Sequence, residues 1–193
     1  MDLISKFEKI VTWFYINGEW EDTFRKLNRV ADIDRLDKIK KLTESELPDD
    51  FKSLYSKYNG EENEKGIGNW RGHTFMSLNE IIYELNLYIE NSDTEEGISS
   101  YPEKAIKIKY YHVKWIPIFS DYCGNFIGID LDPDEKGKYG QVIIFGRDEA
   151  PNIVIANSLN DFFDFNLDLM NKGGDVFKTE KHLHDIYRQL KVK

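Results

Sequence analysis

The chain predicts an α+β fold in which a central mixed or antiparallel sheet, with a meander over residues 112–156, is flanked by N-terminal and C-terminal helices. Three observations carry that prediction. Three short apolar runs, Trp115–Phe119, Phe126–Leu131 and Val142–Phe145, are rich in Ile, Val and Phe. Turn chemistry separates them, as Asp121-Tyr-Cys-Gly-Asn125 and Asp132-Pro-Asp-Glu-Lys-Gly137. Helical patterns fill the first ninety or so residues, and a fourth apolar run, Ile153–Ala156, feeds another. A helix-rich first half followed by a sheet-rich second half is the α+β order.

Taken in order, residues 2–16 place Leu3, Phe7, Ile10, Val11 and Phe14 at three- and four-residue spacing, and Asn17-Gly18 ends that helix. A second helical pattern runs from about Glu19 to Leu42, with Asp32 and Asp34 expected to interrupt it. Pro48 suits a first helical turn, Asp49 and Asp50 complement its positive end, and Asn59-Gly60 supply a left-handed stop. Phe51, Leu54, Tyr55 and Tyr58 give this helix one apolar face. Residues 61–72 read as a polar connector punctuated by glycine. Ser77-Leu-Asn-Glu80 fits a capping box that opens a helix to about Glu90. Residues 91–100 read as a loop, and 101–111 alternate too weakly to assign. After the meander, Ser158 is an N-cap for a helix with Phe162, Phe163, Leu169 and Met170 behind it, stopped by Gly173-Gly174. Residues 175–193 predict a last helix with Phe177, Leu183, Ile186, Tyr187 and Leu190 as its apolar set. The whole chain, 1–193, reads as one domain.

Composition narrows the function classes. Net charge is −9 with a sequence pI of about 5, a balance that repels nucleic acid and anionic membranes. One cysteine, Cys123, excludes a disulfide framework and a Cys-rich zinc module. Met1-Asp-Leu-Ile-Ser-Lys does not resemble a signal peptide, so the expectation is a soluble cytoplasmic protein. The charge is uneven. From Glu44 to Glu64 seven acidic residues face two basic ones, and from Asp121 to Ala150 seven face three.

The motifs fall in a recognisable series. Leu47-Pro48-x-x-Phe51…Leu54-Tyr55…Tyr58-Asn59-Gly60 is followed by Ser77-Leu-x-Glu80-Ile, then Trp115-x-Pro117-Ile118 and Gly124-Asn125. Ile129-Asp130-Leu131-Asp132-Pro133, Gly137-x-x-Gly140-Gln141-Val142 and Ala156-x-Ser158-Leu159-x-x-Phe162 complete it. Over roughly residues 30–170 this order resembles the SUKH superfamily, named for fungal Smi/Knr-type cell-wall-synthesis regulators and their bacterial relatives. The resemblance implies an α+β domain that binds proteins. In bacteria such domains commonly neutralise a polymorphic or contact-dependent toxin, often a nuclease, and in fungi the related domain is a regulatory interaction module. The expectation is therefore an immunity protein whose partner is a cognate toxin domain, bound stoichiometrically and without catalysis. The alternative is a regulatory scaffold like the fungal relatives.

Physical roles follow from the residues themselves. Trp115 fits the core, Gly124 and Gly137 permit positive φ in turns, and Gly140 allows close backbone approach at a strand start. Candidate partner contacts are Asp121, Tyr122 and Asn125 in one loop, Asp130, Asp132, Asp134 and Glu135 in the next, with Trp70 and Arg71 as anchors. The two acidic segments, Glu44–Glu64 and Asp121–Ala150, are expected to border one binding surface. For Asp130 and Asp132, capping of turns is an equal alternative. No cofactor or metal is expected. Asp130-x-Asp132-x-Asp134 opens like a calcium loop but has Pro133 at position four, Glu135 in place of glycine at six and Gln141 in place of glutamate at twelve. Gly66-x-Gly68-x-x-x-Gly72 is not a dinucleotide fingerprint. His182 and His184 would point to different faces of a helix, and Cys123 has only His112 as an imaginable base. A metal-assisted hydrolase using Asp121, Asp130 and Asp132 is the weakest of the functional readings.

Overall fold

The computed structural model describes residues 1–17, 27–29, 33–61, 73–90 and 98–172. Within them the apolar runs form four consecutive antiparallel strands, here β5 (Trp115–Ser120), β6 (Asn125–Asp130), β7 (Gln141–Gly146) and β8 (Asn152–Ala156). Every residue of these strands is buried. Burial on both faces explains why the runs are continuously apolar instead of alternating. Register between β6 and β7 is unbroken, from Asn125 opposite Gly146 to Asp130 opposite Gln141.

Two strands of two residues, absent from the sequence reading, extend the meander at its edges. β3 (Thr74–Phe75) pairs antiparallel with β5, and β4 (Ser100–Tyr101) pairs parallel with β8. The order is β3-β5-β6-β7-β8-β4, a mixed sheet by virtue of β4 alone. Elements this short carry no readable periodicity. A separate pair joins β1 (Leu27–Arg29) to β2 (Tyr58–Glu61). β1 falls inside the span expected to be helical, and α2 begins only at Ile33, running to Thr43 with Asp34 in its first turn.

Alternation sorts the aromatic residues into two clusters on opposite faces of the sheet. Trp115, Phe126 and Phe145 share one face. The Phe145 ring lies 5.2 Å from Trp115 and 5.5 Å from Phe126, and Tyr88 packs edge-on against both Phe126 and Phe145. Phe119 points the other way, toward Phe75 at 5.6 Å and Phe162 at 6.2 Å. Phe7 joins Phe75 to Phe163 on that side. Trp115 has no exposed surface, as its core assignment requires.

Helices close both layers. α1 (Leu3–Asn17) packs on α5 (Leu159–Asn171), where the nearly buried Lys6 ammonium donates to Asn160 Oδ1 at 2.9 Å and pairs with Asp164 at 2.5 Å. Ser158 caps α5 by accepting from the Asp161 N–H at 3.0 Å. Asp50 of α3 (Asp49–Lys57) adds a second acceptor, 3.0 Å from the Leu159 N–H. The capping box of α4 (Leu78–Glu90) forms as read: Ser77 N–H donates to Glu80 at 2.7 Å and Glu80 N–H donates to Ser77 Oγ at 3.3 Å. α3 stops earlier than expected, because Tyr58 is already extended and Asn59-Gly60 belong to β2. Gly60 keeps its positive φ of 79°, but there it lets β2 pass against Met76-Ser77. The helix expected over 175–193 lies outside the described residues, as does the connector read over 61–72 except for Glu61, which ends β2. No helix among the described residues is long and apolar enough to cross a membrane.

Candidate functional site

The β5–β6 turn is held by one carboxylate. Asp121 Oδ1 accepts the backbone N–H of Cys123 at 2.7 Å and of Asn125 at 3.0 Å, while Oδ2 accepts the Asn125 side-chain amide at 2.7 Å. This is Asx-turn chemistry extended to a second residue. Partial burial works against the charge, but those hydrogen bonds outweigh it and hold the Asp121 carboxyl below the usual range. Tyr122 and Gly124 both take positive φ, 57° and 98°. Tyr122 is half exposed, and its hydroxyl donates to Glu80 Oε1 at 2.9 Å. Asn125 faces inward. It also accepts the Asp148 N–H at 2.9 Å, so a single amide ties this turn to the one leaving β7.

The β6–β7 loop is built around a buried carboxylate. Asp130 has no exposed surface. It accepts the Asp132 N–H at 2.9 Å and the Gln141 amide at 2.8 Å. Burial dominates these bonds and pushes its pKa up to about 6. Gln141 is a three-way staple, donating also to the Ala105 carbonyl at 2.9 Å and accepting the Lys138 N–H at 3.0 Å. Asp132 lies 2.6 Å from Lys107 Nζ and 2.8 Å from His112 Nε2. Its carboxyl is held below the usual range because those two partners overcome its desolvation. Burial lowers the His112 pKa despite Asp132, so at neutral pH the imidazole is a hydrogen-bond donor and Lys107 is the counter-charge. Glu135 pairs with Lys104 at 3.0 Å, and Asp134 Oδ1 accepts the Glu135 N–H at 2.8 Å.

Two glycines exchange the roles expected of them. Gly137 does not need positive φ: a Cβ there would sit 2.1 Å from the Ala105 carbonyl and 2.6 Å from Pro133. Gly140 is the residue with positive φ, 81°, and a Cβ there would meet only Pro48 at an ordinary contact distance of 3.7 Å. In both cases the sequence announces a glycine, and only the neighbouring 100–107 segment decides the reason.

The two candidate loops of the meander are separate structures at opposite ends of β6, a six-residue strand about 17 Å long. Asp121, Tyr122 and Asn125 lie at one end, and Asp130, Asp132, Asp134 and Glu135 at the other. Asp130 and Asn125 cannot be direct partner contacts, since one is wholly and the other almost wholly covered; both close turns instead. Trp70 and Arg71 lie outside the described residues. Cys123 is exposed at the end of β6 opposite His112, which is committed to Asp132, so the two do not form a dyad. Among the described residues no three His, Cys, Asp or Glu side chains are grouped to hold a metal ion. Lys107 and Ala105 escaped the sequence reading, and Gln141 entered it only as a motif position without this role, because no pattern over 101–111 signalled that this segment clasps the β6–β7 loop.

Comparison with known proteins fixes the family. The SMI1 / KNR4 family (SUKH-1) matches residues 30–164, a span that takes in all of α2 and ends within α5. The chain is similar to the cell wall biosynthesis/cell cycle regulator smi1 of Schizosaccharomyces pombe, at 34% identity over 148 residues, covering 69% of this chain and 29% of that protein. It is 46% identical over 63 residues to the cell wall assembly regulator SMI1 of Saccharomyces cerevisiae, covering 33% of this chain and 12% of that protein. The glucan synthesis regulatory protein of Neurospora crassa is 44% identical over 63 residues, with 33% and 12% covered. The matched stretches thus span less than a third of these relatives. They overturn the expectation of a bacterial immunity protein with a cognate toxin as partner, because the relatives are fungal regulators of cell-wall and glucan synthesis. By its match over residues 30–164, the chain belongs to the SMI1 / KNR4 family (SUKH-1).

Proposed function

We propose that the chain is a regulatory protein-interaction module of the kind carried by fungal regulators of cell-wall synthesis, acting in the cytoplasm by binding and without catalysis. The observation that carries this reading is the 34% identity to the Schizosaccharomyces pombe cell-wall regulator across 148 residues. The geometry supports it. The two loops beside β6 spend most of their chemistry on closing turns, and the carboxylates are held in place by hydrogen bonds instead of converging on a common point. Rigid, charge-bearing rims on a braced sheet suit recognition of another protein, where a preorganised surface loses little freedom on binding.

A segment exchange tests the proposal. The matched stretch of the Schizosaccharomyces pombe regulator is replaced by this chain, and growth on a wall-binding dye is compared with that of cells lacking the stretch. Restored tolerance is the expected result. A chimera that accumulates to the normal level yet behaves like the deletion would overturn the reading.

A further inference from the structure

One carboxylate of α4 is treated unlike the others. Glu80, Glu84 and Tyr88 recur at four-residue spacing and share a stripe of the helix that faces the β5–β6 turn. Glu80 is satisfied at both oxygens, by Ser77 at 2.7 Å and by the Tyr122 hydroxyl at 2.9 Å. Glu84, one turn further, has no hydrogen bond or ion pair among the described residues. It is half-buried, and that burial, reinforced by the Glu80 charge, raises its pKa. Tyr88 is only 4% exposed, and its hydroxyl has no hydrogen-bond partner among the described residues. Long side chains on a helix lean toward its N-terminus, here toward Glu84, and Glu84 is the charged group acting most on that hydroxyl. The Tyr88 ring stacks on Tyr111 at 5.1 Å, and Glu84 acts on Tyr111 as well. Arg147, the cation acting on Tyr111, is exposed and directed at Asp148, 3.7 Å away.

The opposite end of β6 shows how this chain ordinarily treats such groups: Asp132 has Lys107 and Glu135 has Lys104. A half-buried carboxylate beside a buried hydroxyl, neither with a partner among the described residues, is costly in the free chain. A bound cation would hold the Glu84 carboxylate from the solvent side, since an ammonium offers three donors and a guanidinium five, and fix it where it can accept from the covered Tyr88 hydroxyl. Exposed Tyr83 and Tyr122, 63% and 49% accessible, flank the stripe with rings on which a cationic stem can lie. We propose that the Glu80–Glu84–Tyr88 stripe of α4 is a docking point for a lysine or arginine side chain presented by a basic segment of a partner protein. This rests on the interaction-module reading and adds to it the face used and the chemistry of the partner.

The test uses the full chain, 15N-labelled, titrated with a capped basic peptide alternating arginine and lysine with glycine. The expected result is saturable amide shifts confined to residues 77–90 and 120–125. Affinity should fall at least fivefold in Glu84→Gln and in Tyr88→Phe, and stay unchanged in Glu135→Gln. Tyr88→Phe removes a buried polar atom that has no partner, so it keeps or raises the melting temperature and its binding loss cannot be ascribed to unfolding. Non-saturating shifts, shifts spread equally over both ends of β6, or undiminished affinity in Glu84→Gln would each overturn the proposal. No cell-wall phenotype enters this measurement. A chimera that restores wall tolerance while the peptide fails to bind therefore sinks the docking point and leaves the regulatory reading standing.

Discussion

The two ends of β6 are both rich in carboxylates, but they use them differently. At the β5–β6 turn, Asp121 is partly exposed and is kept charged by donors from its own loop. At the β6–β7 loop, Asp130 is sealed in, and the charge that reaches the surface is matched by lysines from a segment some twenty-five residues earlier in the chain. The first is a local device, closed within five residues. The second is a tertiary clasp that orders 104–107 and 130–141 together through Ala105, Gln141 and Lys107. Acidity in sequence therefore does not equal acidity available to a partner: much of the −4 carried by 121–150 is spent inside the fold.

Breaking the clasp should give the largest effect, and its two glycines separate its causes. Gly137→Ala places a methyl 2.1 Å from a backbone carbonyl that Gln141 also needs. Backbone cannot yield as a side-chain end can, so a loss of about 3 kcal/mol is expected. Gly140→Ala meets only Pro48 at 3.7 Å and suffers from its φ of 81° alone, a loss of about 1 kcal/mol. Urea unfolding of both variants checks this. Equal losses would mean that the loop shifts away from Ala105 at little cost and that the clasp is weak.

The second expected effect is a difference of sign between the ends. Burial pushes the Asp130 pKa in the folded state up to about 6, above its ordinary value of 3.8. The folded state therefore holds the proton more tightly than the unfolded one. Its stabilising contribution is complete below pH 3.8 and is lost as pH rises through 6. The swing is about 3 kcal/mol as an upper bound. Asp121 is lowered, so its contribution is present above its unfolded pKa and disappears as pH falls through the folded value. Unfolding midpoints between pH 4 and 7 should show stability falling with pH less steeply in Asp130→Asn than in the parent. Asp121→Asn should instead remove part of the loss seen on acidification. A parental slope retained in Asp130→Asn would show that the buried group titrates elsewhere.

What the sequence made legible follows the same division. Signals contained within a few residues were readable: the capping box at Ser77, the N-cap at Ser158, the four apolar runs, and the turn at Asp121–Gly124. The α+β class followed from them. Features that depend on a distant segment were not. β3 and β4 are strands only because β5 and β8 offer them an edge. Asn59-Gly60 resemble a helix stop but serve β2, because the helix had already yielded to strand pairing with β1. Gly137 and Gly140 were both flagged, with their reasons exchanged, since only the position of Ala105 distinguishes a crowded glycine from a left-handed one. The site suffered most. Spacing places Asp121 and Asp130 nine residues apart in one acidic stretch, whereas a single intervening strand puts them at opposite ends of the sheet. Glu84 carried no signal at all, because a glutamate at a helical position looks solvated until its neighbours are known.

The smallest effect sharpens the comparison by asking what the outer layer of the clasp contributes. Lys104 and Glu135 are 52% and 69% exposed, so their pair at 3.0 Å is screened by water and salt. Exposed pairs of this kind contribute roughly 0 to 1 kcal/mol. Glu135→Gln keeps the length of the side chain and removes only its charge. It should cost about 0.5 kcal/mol at low ionic strength and less in molar salt. Asp132→Asn should cost more, because Asp132 is 30% exposed and faces both Lys107 and the largely buried His112. It leaves the Lys107 ammonium facing a neutral amide at 2.6 Å in place of a carboxylate. Measuring both variants across a salt series separates charge at the rim from charge inside the clasp. If Glu135→Gln proved as costly and as salt-insensitive as Asp132→Asn, the loop would be held from its surface, and the inward chain from Asp132 through Asp130 to Gln141 would be a consequence of the fold rather than its fastening.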